Sequence, residues 1–391
     1  MRSPRIARLI ADGTPRAVRS FWAETTAAGT PLVEPWDDGC VLVTFLWRGE
    51  AVRTRAWFGV DVELTRLPGT DLWQGSEVLP AGLLTIYCLL HGDVETLPAG
   101  PAVTGQAHLD PGNPHRVCFP GDPQEPDDPD YWASVLRLPH APAEPWTGTR
   151  AGVTPGRLTL ARVPSASFGG DRTVTVYRPA GTPVDGLPTL VVFDGYLAQT
   201  VMAVPTVLDN LLADGLIPPL TALFVHARAE HRDDELVPGS PMETFVAGEL
   251  LGWARAELGA GDAVRHLVAG VSRGGLLAAH LGLRRPDLFG GVIAQSGSFW
   301  WPEPDRGRPG RLIREVPDPA PAGVRFYLDV GSRETMPGPG GAPTQLDANR
   351  AMRDALIARG HRVTYAEYCG GHDYVNWRRT FADGLLAVHG R

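Results

Sequence analysis

The sequence contains no lysine; all 36 of its basic residues are arginine. Chemistry that needs a lysine amine is therefore excluded, including Schiff bases, the P-loop lysine and the Ser-Lys dyad. Cysteine is almost as scarce. Cys40, Cys88, Cys118 and Cys369 lie far apart, in no CxxC and no short Cys/His cluster. Neither a disulfide framework nor a zinc site is signalled, and no metal or other cofactor is called for. Acidic residues outnumber basic ones, and the net charge of −8 argues against a nucleic-acid partner, which needs a basic face to displace phosphate counterions. No apolar run approaches the ~20 residues that span a bilayer, so no membrane partner is expected. The opening residues, Met1 to Arg8, lead into no stretch of signal-peptide length, and the expectation is a cytoplasmic protein. Nothing in the sequence addresses its oligomeric state.

What is present suits a packed globular protein. Hydrophobic residues make up 43% against 20% charged, enough apolar material for a sizeable core. The 391 residues favour two domains, since single cores stop growing near roughly 250–300 residues. The first half reads as β-rich: Val41 to Trp47 and Leu83 to Leu89 are strand-like runs between turn signals, suggesting a small antiparallel sandwich. A Pro- and Asp-rich stretch from Asp110 to Asp130, continued by Pro139 to Pro145, reads as irregular and places a domain boundary near residues 140–155. We divide the chain into residues 1–150 and 151–391.

Beyond that boundary strands and helices alternate. Thr173 to Tyr177, Thr189 to Phe193, Leu220 to Val225, His266 to Ala269, Arg325 to Gly331 and Val363 to Tyr368 read as strands. Val204 to Leu216, Glu243 to Leu258 and Val375 to His389 read as helices. That order predicts an α/β domain with a mainly parallel sheet covered on both faces.

Gly270-Val271-Ser272-Arg273-Gly274 fits G-x-S-x-G between an apolar strand and the helix-forming run Gly275 to Leu281. Glycines there let the backbone bend sharply enough to lift a serine hydroxyl clear of the sheet, as in the nucleophile elbow of α/β-hydrolases. A bare glycine-rich turn explains the five residues about as well, but not the strand before them and the helix after. The nucleophile needs a base, and His372 has the expected place, after the last strand and behind Gly370-Gly371. Ten further histidines have no such setting. The acid belongs after the preceding strand, where Glu334 follows Gly331; Asp329, inside the strand, is its rival. Oxyanion-hole N–H groups are expected from Arg273 and from Tyr196, after the strand ending at Phe193. Arg273, beside the nucleophile, and Arg232, past another strand, suit an anionic substrate, although a solvated surface role is the usual one for any single arginine.

Several longer motifs go beyond the generic elbow. Gly29-Thr30-Pro31-Leu32-Val33-Glu34, Val43-Thr44-Phe45-Leu46-Trp47-Arg48, Gly69-Thr70-Asp71-Leu72-Trp73 and Leu109-Asp110-Pro111-Gly112-Asn113-Pro114 mark the first half. Phe193-Asp194-Gly195, Arg232 to Leu236, Gln295-Ser296-Gly297-Ser298-Phe299-Trp300-Trp301, Gly331-Ser332-Arg333-Glu334 and Gly370-Gly371-His372-Asp373 mark the second. With these motifs the sequence resembles the enterochelin (ferric enterobactin) esterase family almost end to end. The resemblance implies a β-rich N-terminal domain before an α/β-hydrolase domain. It also implies a cytoplasmic serine esterase that cleaves catecholate siderophore trilactones, apo or ferric, or their linear fragments. It gives Ser272, Glu334 and His372 the triad roles and makes Arg232, Arg273, Gly195 and Trp300 candidate substrate contacts. Arg273, where an apolar residue is common, and Leu197, where a tryptophan is common, depart from the pattern. An esterase, thioesterase or acyltransferase for another natural-product ester is the alternative within this fold. A non-catalytic siderophore- or carbohydrate-binding protein is the alternative outside it.

Overall fold

The computed structural model describes residues 3–125, 127–183, 185–261, 266–318 and 323–391. The chain divides into two compact units: Met1–Ala143 with Cys369–Val375, and Glu144–Tyr368 with Asn376–Arg391.

The first unit opens with two helices that the sequence reading did not anticipate, α1 (Pro4–Asp12) and α2 (Pro15–Ala28). Their signals are local. Ser3 and Thr14 cap them through side-chain oxygens, each with proline at the first helical position. Ile6, Leu9, Val18 and Phe21 turn inward onto Leu32, Leu46, Leu67 and Leu72. Nine strands follow: β1 (Leu32–Pro35), β2 (Cys40–Arg48), β3 (Thr54–Phe58), β4 (Asp61–Arg66), β5 (Leu72–Pro80), β6 (Leu84–His91), β7 (Ala107–His108), β8 (Arg116–Phe119) and β9 (Tyr131–Arg137). They pair antiparallel in the order β1-β2-β5-β4-β3-β6-β9-β8, with β7 on β6. The stretch expected to be irregular thus contributes β8, whose Val117 and Cys118 pair with Ala133 and Trp132. Prolines flank this strand without entering it, so its ladder N–H groups survive. The Asp110 motif is a latch. Its buried carboxylate accepts from Thr30 Oγ1 (2.5 Å), the Tyr87 hydroxyl (2.7 Å) and the Gly112 N–H (2.9 Å). Cys369–Val375 fastens to β6, with Leu84 N–H donating to Cys369 O and Thr85 Oγ1 to Asp373 Oδ2.

The second unit holds an eight-stranded sheet: β10 (Arg157–Val163), β11 (Arg172–Arg178), β12 (Thr189–Val192), β13 (Thr221–Val225), β14 (His266–Val271), β15 (Phe289–Gln295), β16 (Arg325–Gly331) and β17 (Arg362–Tyr368). The order is β10-β11-β13-β12-β14-β15-β16-β17, antiparallel at β10 and β11 and parallel from β13 onward. The helices are α3 (Gly195–Thr200), α4 (Val204–Ala213), α5 (Arg232–Glu235), α6 (Pro241–Thr244), α7 (Leu251–Leu258), α8 (Arg273–Arg284), α9 (Arg311–Arg314), α10 (Gln345–Ala358) and α11 (Tyr374–His389). A π-turn at Phe245–Leu250 joins α6 to α7. The helix expected over Glu243 to Leu258 is therefore present but locally underwound. Continuous burial of β12, β13 and β14 matches sequences that are apolar after their first residue.

The chain runs from β12 to β13 on one side and then to β14 on the other. That reversal is a topological switch point at the carboxyl ends of β12 and β14, the place where open α/β sheets bind ligands.

Candidate active site

Ser272 occupies a backbone conformation that few side chains adopt, with φ 54° and ψ −118°. Hydrogen bonds hold it there from both sides: Ser272 N–H donates to Gln295 O (2.9 Å), and Ser298 N–H donates to Ser272 O (3.0 Å). Strain over-determined in this way is characteristic of functional positions. The flanking glycines sit in close quarters, and at Gly270 the backbone leaves no room for a side chain. A Cβ on Gly270 would stand 2.4 Å from the Gly274 carbonyl carbon, and one on Gly274 3.1 Å from Phe193 Cβ. The Ser272 hydroxyl lies 3.3 Å from that of Ser298. Immediately after it α8 begins, with Arg273 at its first position, so the positive end of the helix macrodipole adjoins the serine.

Just past the adjacent strand β12, Asp194 takes a left-handed conformation (φ 54°) and precedes α3, which starts at Gly195. Gly195 has a structural requirement of its own, since a Cβ there would lie 2.7 Å from the Phe224 carbonyl carbon in β13. Tyr196 follows in the first turn of α3. Tyr196 and Arg273 thus lie in the first turns of helices at the carboxyl ends of neighbouring parallel strands.

Glu334 is buried just past β16. Its Oε1 accepts from Ser296 Oγ (2.6 Å), Gly331 N–H (2.7 Å) and the Tyr368 hydroxyl (3.2 Å). Asp329 sits inside β16, where Oδ2 meets the Tyr327 hydroxyl (3.2 Å) and Gln295 Nε2 (3.4 Å). Burial first, and then the charge of Glu334, push its carboxyl up to about 7 against the pull of its hydrogen-bond donors. His372 lies in Cys369–Val375, between β17 and the body of α11.

Both arginines singled out from the sequence have carboxylate partners. Arg232 forms a two-point pair with Asp194, Nε to Oδ1 at 2.5 Å and Nη2 to Oδ2 at 2.7 Å. Arg273 pairs with Glu303 and lies over the Trp300 ring, 5.0 Å from its centroid. Trp300 is buried and donates its indole N–H to Gln345 Oε1. Sequence reasoning missed Glu303 and the Ser296, Ser298, Tyr368 and Trp377 cluster. The Gln295-Ser296-Gly297-Ser298 motif was the available signal. No group of three or more potential metal ligands occurs among the described residues.

Comparison with known proteins follows the same division. Residues 165–388 match a family described as putative esterase, and residues 42–147 match one described as enterochelin esterase, N-terminal. An iron(III) enterobactin esterase of Dickeya dadantii is 31% identical over 94% of this chain and 92% of its own. The chain belongs to the enterochelin esterase family. An iron(III) salmochelin esterase of Escherichia coli is 30% identical, covering 97% of this chain and 96% of its own. Among solved structures, the enterobactin esterase of Shigella flexneri crystallised in the presence of enterobactin superposes with a TM-score of 0.71 at 27% identity. That match covers 94% of this chain and 97% of the other. The ferric enterobactin esterase of Salmonella typhimurium gives 0.72 at 26% identity, over 95% and 98%. Membership makes the chain a hydrolase acting on esters, with the β-rich unit and α/β esterase unit expected of an enterochelin esterase. No described helix is long and apolar enough to cross a membrane.

Proposed function

We propose that this enterochelin esterase hydrolyses the ester bonds of a catecholate siderophore trilactone, or of its linear fragments, through an acyl-enzyme on Ser272. The observation that carries the reading is the geometry of Ser272, a strained serine held at the carboxyl edge of a parallel sheet and followed directly by a helix N-terminus. Residues 151–391 would carry the reaction, and the cytoplasm would be its setting.

In this reading the Ser272 oxygen attacks the ester carbonyl while His372 takes the hydroxyl proton. Glu334 fixes the imidazole tautomer and stabilises the imidazolium as it forms. The N–H groups of Arg273 and Tyr196 receive the charge developing on the carbonyl oxygen. Collapse expels the alcohol of the cleaved lactone ester, which leaves with the proton from His372. Water, activated by the same histidine, then frees Ser272 and the carboxylate product. Iron, where present, travels with the substrate. The arginine reading is narrower than the sequence suggested. Arg232 and Arg273 would meet an anionic catecholate as members of ion pairs with Asp194 and Glu303, lending hydrogen-bond donors more than net charge. Gly195 and Trp300 would line the same site.

Chromatographic assay of a catecholate trilactone, apo and ferric, beside a simple aryl ester and a thioester tests the reading. Stepwise opening to linear fragments, at a kcat/KM well above that for either simple ester, is the expected result. Preference for the thioester would transfer the activity to the thioesterase reading.

A further inference from the structure

The Gln295–Ser298 turn touches both ends of the proposed catalytic apparatus. Its backbone holds the nucleophile, accepting from Ser272 N–H at Gln295 O and donating from Ser298 N–H to Ser272 O. Its side chains reach further: Ser298 Oγ lies 3.3 Å from the Ser272 hydroxyl, and Ser296 Oγ–H donates to Glu334 Oε1 at 2.6 Å. Ser296 is fully buried and held at φ 45°, a conformation that costs energy for a serine. The surroundings fix that conformation tightly. Ser296 N–H donates to Asp329 O (2.8 Å), and its carbonyl accepts from Gln345 Nε2. Its hydroxyl oxygen accepts the Trp377 indole N–H (3.0 Å), leaving the single hydroxyl proton for Glu334. Gly297 completes the turn, because a Cβ there would stand 2.4 Å from the Phe299 ring.

We infer that Ser296 is a positioning residue for the catalytic acid and that the turn carrying it sets Glu334 and Ser272 in one rigid frame. The inference rests on the triad reading and extends it. Trp377 aims the Ser296 hydroxyl, which also lies 3.0 Å from the Tyr368 hydroxyl, and together the Ser296 and Tyr368 hydroxyls and the Gly331 N–H pin one carboxylate oxygen. A frame of this kind acts on the reaction without touching substrate, so its loss falls on kcat rather than KM.

The test uses the full chain and four variants: Ser296→Ala, Ser296→Gly, Glu334→Gln and the Ser296→Gly/Glu334→Gln pair. Glycine tolerates φ 45° best, so it removes the hydroxyl even if alanine fails to fold. The expected result is a ~10- to 100-fold loss of kcat on the trilactone for either Ser296 variant, as for loss of a charge-assisted hydrogen bond, with KM nearly unchanged and the variant still folded. In the Glu334→Gln background the same substitution should cost less than about 2-fold, because the group it positions is already gone. Wild-type kcat in folded Ser296→Gly, or equal losses in both backgrounds, would overturn the inference and leave Ser296 a packing residue. Wild-type turnover by Glu334→Gln would instead remove the acid itself, a separate failure belonging to the triad assignment.

Discussion

Glu334 is a carboxylate met by three hydrogen-bond donors just beyond a strand end, whereas Asp329 is locked inside that strand with one oxygen lacking a hydrogen-bond partner. Only the first arrangement suits a group that must stabilise a transient imidazolium. Glu334→Gln should therefore lower kcat by about 10²-fold or more, while Asp329→Asn stays within several-fold of wild type. Steady-state kinetics on a soluble ester decides between them, and an inactive Asp329→Asn would reverse the assignment. Arg273 makes a second prediction at this scale. Its guanidinium is shared between Glu303 and the face of Trp300. Glu303→Gln should free it and raise kcat/KM on an anionic catecholate ester relative to p-nitrophenyl acetate, and Arg273→Leu should lower the same ratio. Equal changes on the two substrates would make the pair purely structural.

Two glycines in helical or elbow settings separate packing from propensity at the level of elements. Gly270→Ala drives a methyl group into the Gly274 backbone and should cost about 3 kcal/mol, with loss of the elbow and of activity. Gly252 in α7 is exposed, and its Cβ direction is open, so Gly252→Ala should add about 0.5–1 kcal/mol. Denaturant unfolding of both variants checks the pair; a destabilised Gly252→Ala would mean that the π-turn before α7 needs the flexibility. The strands β12, β13, β14, β16 and β17 were legible because each is a short apolar or β-branched run between turn signals. β15 was not, since Gly290 and Gly291 break its pattern, although Gly291 is there because a Cβ would strike Leu267 and Val388. α1 and α2 were missed because their apolar stripes are thin and only their caps announce them. The strained strand-to-helix turn at Ser272 was readable from local sequence. The partners of Arg232, Arg273 and Glu334 were not, because Asp194, Glu303 and Ser296 are brought near only by the sheet.

Titration of buried groups gives the molecule a stability profile that neither unit's sequence displays. In the first unit the His108 Nδ1–H donates to Leu109 O (2.6 Å), so His108 Nε2 accepts from His91 Nε2–H (2.9 Å), and His91 Nδ1 accepts from Thr54 (3.1 Å). The chain is satisfied with both rings neutral, and burial first, then the neighbouring ring, pushes His91 down to about 4. Its folded pKa lies below the unfolded value, so the stability it supports is complete above ~6.5 and lost as pH falls toward 4. Asp329 acts in the opposite direction. Its folded pKa near 7 lies above the unfolded value, so stability is full below ~4 and declines as pH rises toward 7. Asp329→Asn should consequently be more stable than wild type at pH 8, by on the order of 2–4 kcal/mol, with the gap closing by pH 4. Thermal unfolding across that range is the check, and a constant gap would contradict it.

The esterase account depends above all on one hydroxyl. The direct measurement is turnover of the catecholate trilactone by wild type and by Ser272→Ala, with folding of the variant verified by thermal unfolding. Loss of about 10⁴-fold or more in kcat, with the fold intact, is the predicted result. Near-normal hydrolysis by folded Ser272→Ala would contradict the account.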